Sequence, residues 1–328
     1  MQLTKALAPI AIAGTVAGGL LATPAAHATH IDVELLSGTA FFVGPTILST
    51  PSATFAQSAV DLYLERLGFD TGDGDLDACR VSLGDCDAPL RLLTTPALVQ
   101  QGHSSFVGAA EIVRAVHAEL DANPDTYNED NPLWIFGWSQ GATAGSLAMV
   151  QLAHDGVPLD SLHFVFIGNP FDADGEYPNA PGEPDPSAPG DSWMLHGNQT
   201  PTDLFAVTNY SLPGDPVSNH ESTSTFGLFY EHMMYLGLTP EQVADNHTTV
   251  VGNLTDVDIS GAAEQFDTWL NAWGHGLIDS GWWEGLFYSL VASIYDAFGH
   301  LEDFFGDWMG IEWSGVEETM DAWFPLDV

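Results

Sequence analysis

The sequence predicts an α/β fold, a mostly parallel sheet covered by helices on both faces. Two patterns carry that prediction. Short apolar runs alternate with segments of helical period across residues 31–219, and strands that alternate with helices pair in parallel with both faces buried. One such run, Leu133-Trp134-Ile135-Phe136, leads into Gly137-Trp138-Ser139-Gln140-Gly141 and then into small residues. That is the strand, tight turn and helix of a nucleophile elbow. The length of 328 residues, 45% of them apolar, suits one large domain with an appendage.

The elements follow in chain order. Residues 31–40 (IDVELLSGTA) read as a first strand that ends in a glycine turn. Residues 50–68 read as a helix, with Thr50 as cap, Pro51 in the first turn and Gly68 at the end. Ala56, Ala59, Val60, Tyr63 and Leu67 share one face of it. Residues 90–97 read as a strand, and 105–124 as a helix with Ile112, Val113, Val116 and Leu120 inward and a proline stop. The strand at 133–136 is followed by a helix over 142–156 and a buried strand over 162–170. Residues 171–200 are rich in Pro, Gly and Asp and read as a surface excursion. Residues 203–219 return as strand then loop, and 220–250 hold an apolar segment suited to covering a pocket. Past residue 258, aromatics recur at helical spacing between glycines, and seven of the ten tryptophans lie from Trp269 to Trp323.

The N-terminus reads as an export signal. Lys5 precedes the apolar run ALAPIAIAGTVAGGLLA, and Ala26-His27-Ala28 has the small-x-small form of a cleavage site. The expected organisation is a signal peptide over 1–28, a catalytic-type domain over 29–258 and an aromatic, acidic helical region over 259–328. Export places the chain outside the cytoplasm, secreted or on the cell envelope. There the two cysteines, Cys79 and Cys86, are expected to pair.

Charge excludes whole function classes. Forty-five acidic residues face five basic ones, for a net charge of -40. Lys5 is the only lysine, and the arginines are Arg66, Arg80, Arg91 and Arg114. Nucleic acids are held by Lys and Arg on phosphates, so a nucleic-acid partner is excluded. Phosphorylated substrates and anionic headgroups are disfavoured for the same reason.

The elbow makes Ser139 the candidate nucleophile. A serine hydroxyl needs a base, and the base an orienting acid. In this architecture the chain order is Ser, acid, His. Asp215 follows the strand of 203–210, with Asp172 and Asp174 as rivals after the preceding strand. The later histidines are His220, His232, His247, His275 and His300. His247, in the polar stretch ADNHTTVVGN, is favoured as the base and His232 stands next. The Gln140 N–H at the helix start is one expected oxyanion donor. Gly38, Thr39 and Ala40 are expected to supply the other. Asp73, Asp75 and Asp77 alternate like the start of a calcium loop but lack its glycine and its later glutamate. A solvated acidic turn is the reading, with calcium as the weaker alternative. No cofactor is expected.

Several of these segments resemble the PE-PPE domain of mycobacteria and related actinobacteria, a family of serine hydrolases close to cutinases. They are LLSGTA, QGHSSFVGAAEIVRAV, IFGWSQGATAGSLAMVQL, LHFVFIGNPFDADG and PTDLFAVTNYSLPGDPVS. The resemblance covers roughly residues 33–250. It implies a cutinase-like α/β-hydrolase sandwich and a Ser-Asp-His triad at Ser139, Asp215 and His247. It also implies esterase or lipase activity on acyl esters. An envelope acyltransferase that moves fatty or mycolic chains onto a sugar, or a non-catalytic envelope binding protein, are the alternatives. This chain departs from the family with Trp138 where tyrosine is common, Ser37 where a glycine is common, and Thr248 where a glycine follows the histidine.

Overall fold

The computed structural model describes residues 38–71, 76–81, 86–186, 191–222, 227–228, 230–260 and Ala272. The expected signal peptide, Asp73, Asp75 and all of the expected aromatic region but Ile259, Ser260 and Ala272 lie outside these residues, as do His275 and His300.

Eight strands form one sheet. In chain order they are β1 (Ala40–Val43), β2 (Ala78–Arg80), β3 (Leu90–Leu92), β4 (Leu133–Trp138), β5 (Leu162–Ile167), β6 (Ala206–Ser211), β7 (Asn246–Val251) and β8 (Leu254–Ile259). Their order across the sheet is β2-β3-β1-β4-β5-β6-β8-β7, and every pairing is parallel except β7 with β8. The α-helices are α1 (Ala53–Ala59), α2 (Gln101–Ala122), α3 (Gln140–His154) and α4 (Pro240–Ala244). The architecture is the α/β-hydrolase sandwich that the sequence predicts.

Strand β4 explains how the sheet is covered. All six of its residues are buried. Leu133 and Ile135 join the core under α2 and α3, while Trp134, Phe136 and Trp138 join the core under α1 and the residues after Met234. A period of two with both faces apolar is what a central parallel strand requires. On the first face, a Cβ on Gly145 of α3 would lie 2.5 Å from the Phe166 ring, so the small residues of α3 let it sit close to the sheet.

The first strand lies later than expected. It is Ala40-Phe41-Phe42-Val43, and Gly38 and Thr39 lead into it rather than close it. The helix expected over 50–68 begins at Ala53, with the Ser52 hydroxyl accepting the Phe55 N–H. It continues as a π-turn over Val60–Leu64 and a 3-10 turn over Glu65–Leu67, and it ends at Gly68 with φ 102°. The π-turn turns three consecutive side chains, Leu62, Tyr63 and Leu64, into the core. Cys79 and Cys86 are joined as a disulfide. Arg91 on β3 pairs with Glu119 on α2, which also accepts from Asn123 and Tyr127. One of four arginines thus neutralises a buried carboxylate.

The strand order also places a site. After β1 the chain moves outward to β2 and β3, and after β4 it moves the opposite way. The crevice at the carboxyl ends of β1 and β4 is the switch point at which open α/β sheets bind ligands.

Candidate active site

Ser139 stands at that switch point. It follows β4 directly and precedes α3, with φ 55° and ψ -117°. A serine held in the left-handed region is strained, and such strain gathers at functional sites. Its N–H donates to the Ile167 carbonyl, which pins the turn to β5. Close approach requires a glycine at 141, where a Cβ would stand 2.6 Å from the Val43 carbonyl oxygen. Ser139 is 8% exposed, so the hydroxyl is enclosed by protein yet reachable. The first turn of α3 holds no acidic residue, so its positive dipole end faces the serine without a competing charge.

Asp215 follows β6 and is fully buried. Its Oδ1 accepts the Val217 N–H at 2.9 Å. Its Oδ2 accepts from the Tyr235 hydroxyl at 2.8 Å and the Ser218 hydroxyl at 3.1 Å, and it lies 2.9 Å from His232 Nδ1. Burial works to raise this carboxyl. The charge of His232 and its hydrogen bond, with the Val217 and Tyr235 donors, outweigh burial and hold it below its ordinary value.

His232, not His247, is therefore the histidine that meets the acid. It is 4% exposed and lies on a 3-10 turn, Glu231–Met233. Its Cε1 abuts Gly168, where a Cβ would come within 2.8 Å and where φ is 53°. Its ring centre is 6.0 Å from that of Trp138, the residue before Ser139. The imidazole thus packs against Trp138, which precedes Ser139, and Gly168, which follows the Ile167 that accepts the Ser139 N–H. With Nδ1 engaged by Asp215, Nε2 is the nitrogen that can take a proton.

His247 sits elsewhere. It belongs to β7, the antiparallel outer strand, every residue of which is exposed, and its register partner is Asp258. Among the described residues the rival acids meet no imidazole through their carboxylates either. Asp172 accepts from Asn209 and from the Asp174 N–H, and His220 bonds to the Asp174 backbone carbonyl.

The second oxyanion segment also differs from expectation. Ala40 is in register with Trp134, and Thr39 accepts the Trp134 N–H. Gly38, Thr39 and Ala40 are thus at the opposite end of β4 from Ser139, at least five residues or about 16 Å of strand away. The segment level with Ser139 is the one after Val43, namely Gly44-Pro45-Thr46. The Gly44 carbonyl oxygen lies 2.8 Å from the Cβ position of Gly141. Ile47 and Ala97 flank this segment, both at positive φ, and the Ile47 N–H donates to the Ala97 carbonyl at 2.6 Å. Gln140, the other expected donor, is where the sequence places it, at the first position of α3. There no carbonyl inside the helix can accept its N–H.

On the same side of the sheet as α3 lies a buried carboxyl group with a different property. Asn209 donates to both Asp172 and Asp256. Burial first, then the negative charge of Asp256, raise Asp172 to about 7. Burial and then Asp258 raise Asp256 to about 6. Between the ordinary value of 3.8 and these values, the folded carboxyls keep protons that the unfolded chain has lost. The unfolded state binds fewer protons there, so stability falls as pH rises through that window and levels off above it. Thermal melts are expected to show a lower Tm at about pH 8 than at about pH 5, with Asp172→Asn reducing the difference. An undiminished difference in the variant contradicts this assignment. Asp77, of the expected acidic turn, uses its backbone carbonyl to accept the Leu90 N–H. No group of three or more His, Cys, Asp or Glu suited to a metal ion occurs among the described residues.

Residues 90–181 match the PE-PPE domain. Over 148 residues the chain is 34% identical to PPE28, an uncharacterized PPE family protein of Mycobacterium tuberculosis, covering 42% of this chain and 21% of that protein. Over 254 residues it is 26% identical to the esterase PE16 of the same organism, covering 70% of this chain and 44% of PE16. The chain thus spans between a fifth and a half of the length of these curated relatives. Lysin B from a mycobacteriophage aligns over 80% of this chain and 90% of its own at 17% identity, with a TM-score of 0.35.

Proposed function

We propose that this chain, which carries a PE-PPE domain over residues 90–181, is a serine hydrolase that cleaves carboxylic acyl esters with Ser139, His232 and Asp215 as its triad. One observation carries the reading. A serine strained on a strand-to-helix turn at the switch point directly follows Trp138, against which the imidazole of a buried His–Asp pair packs. The similarity to a protein named as an esterase supports the reaction class.

In this mechanism His232 Nε2 takes the proton of Ser139 as Oγ attacks the ester carbonyl. Asp215 holds the imidazolium that results. The Gln140 N–H and a donor from 44–46 face the developing oxyanion. Collapse of the tetrahedral intermediate breaks the bond to the alcohol oxygen, which takes its proton from His232. Water, deprotonated by His232, then releases the acid from Ser139. The acidic surface and the paucity of cations favour uncharged acyl esters, including lipid esters, over phosphorylated substrates. The leader-like N-terminus favours action outside the cytoplasm, secreted or at the cell envelope.

The test is hydrolysis of p-nitrophenyl esters of graded chain length by the full chain and by Ser139→Ala. Release of p-nitrophenol that disappears in a folded Ser139→Ala supports the reading, and retained turnover in that variant refutes it. An acceptor alcohol added to the same assay separates transfer from hydrolysis by product analysis.

A further inference from the structure

Two segments meet at the level of Ser139, the start of α3 that follows it and the turn after β1 that is level with it in register. They are not adjacent in sequence, and a single side chain spans them. Gln140 Nε2 donates to the Leu98 carbonyl at 2.7 Å and to Gln101 Oε1 at 2.9 Å. Gln140 Oε1 accepts the Ser104 hydroxyl at 2.7 Å. On its other side, Gln101 Nε2 donates to Thr46 Oγ1 at 3.0 Å.

The orientation of each amide follows from its neighbours. A backbone carbonyl accepts only, so the Gln140 end that meets Leu98 is its NH2 group. That NH2 can meet only an acceptor on Gln101, which sets Gln101 Oε1 toward Gln140 and Gln101 Nε2 toward Thr46. Ser104 is fixed too, because its oxygen accepts the Leu98 N–H at 2.9 Å. The base of the strut is anchored independently. The Asp191 carboxylate accepts the N–H groups of Gly102 and His103 at 2.9 and 2.7 Å.

We infer that Gln101 is a positioning residue that sets the distance between the Gln140 N–H and the Gly44–Thr46 segment, and so the width of the oxyanion pocket. The inference rests on the proposed hydrolase reading. Gln101 touches no reacting atom. Its effect passes through Gln140 on one side and Thr46 on the other. A pocket whose donors are displaced by a fraction of an ångström binds the ground-state ester as before but loses grip on the tetrahedral oxyanion.

The test uses the full chain and a soluble p-nitrophenyl ester. Gln101→Met keeps the length of the side chain and removes both polar ends. It is expected to lower kcat by about 10- to 100-fold, with KM within about twofold and with an adduct at Ser139 still formed by a fluorophosphonate. Thr46→Val removes one link from a partly exposed turn and is expected to lower kcat in the same direction by less. The double variant should be no slower than Gln101→Met alone, because both act on one strut. A merely structural role would lower Tm and leave the kcat of the folded fraction unchanged. The inference is overturned if kcat of Gln101→Met stays within about twofold of the parent, or if the two falls multiply. Should Gln101→Met not fold, an unchanged kcat in Thr46→Val overturns it alone. A parent chain with no Ser139-dependent turnover would instead refute the hydrolase reading beneath it.

Discussion

Replacing His232 by alanine is expected to lower kcat/KM on a soluble acyl ester by about 10⁴-fold or more, whereas His247→Ala is expected to leave it unchanged. The difference follows from position. His232 Nδ1 is 2.9 Å from the buried Asp215 carboxylate, and its ring packs against Trp138, which precedes Ser139, and Gly168, which follows β5. Its removal takes away the base and leaves the carboxylate buried without its partner. His247 lies on an exposed outer strand, separated from β4 by β8, β6 and β5. Rates for the two variants under one assay decide between the histidines directly. A large loss in His247→Ala with little loss in His232→Ala would reverse the assignment.

Asp215→Asn is expected to lower kcat by about 10⁴-fold and to cost about 1–3 kcal/mol of stability. One change does both because the carboxylate is saturated with donors. Oδ1 accepts the Val217 N–H, while Oδ2 accepts the Ser218 and Tyr235 hydroxyls and faces His232 Nδ1. An asparagine offers a single oxygen. Placed at Oδ1, it turns an NH2 toward Tyr235, Ser218 and His232. Placed at Oδ2, it turns the NH2 toward the Val217 N–H. Either way a buried donor meets a donor, and in the first case the imidazole is driven to the wrong tautomer. Equilibrium unfolding and steady-state kinetics on the same preparation measure the two losses together. An Asp215→Asn chain of parental stability and rate would show that the carboxylate is not the orienting acid.

The serine was legible because the elbow is local. An apolar strand, a glycine on each side of Trp138-Ser139-Gln140 and a helix of small residues occupy a contiguous stretch, and local signals survive in sequence. The parallel sheet was legible because central strands bury both faces and become continuous apolar runs, as in LWIFGW and LHFVFI. Asp215 could be placed by strand order, since the residues after β6 reach the same end of the sheet as those after β4.

The histidine was not legible in the same way. His232 is set among Phe, Tyr, Met and Leu, which reads as an apolar cover, and only the fold shows that the cover turns inward over Asp215. The residues around His247 read as a loop because β7 is exposed on both faces and so has no apolar alternation. The start of β1 at Ala40 has a local cause. Ser37-Gly38-Thr39 lies between IDVELL and AFFV, and a turn signal there does not show which of the two segments it bounds. Gly44-Pro45 after AFFV is the signal that marks the true turn, and it moves the second oxyanion segment from 38–40 to 44–46. The links made by Gln101 depend on residues 39 and 55 positions away in the chain, a separation that no periodicity encodes.

Activation of Ser139 by His232 and Asp215 in the folded chain is open to a direct test. Covalent labelling by a fluorophosphonate, read by intact mass and peptide mapping, is carried out on the parent, His232→Ala and His247→Ala chains. One adduct is expected, on Ser139, formed at the same rate in the parent and in His247→Ala and strongly slowed in His232→Ala. An unlabelled parent, or an adduct whose formation is indifferent to His232, would contradict it.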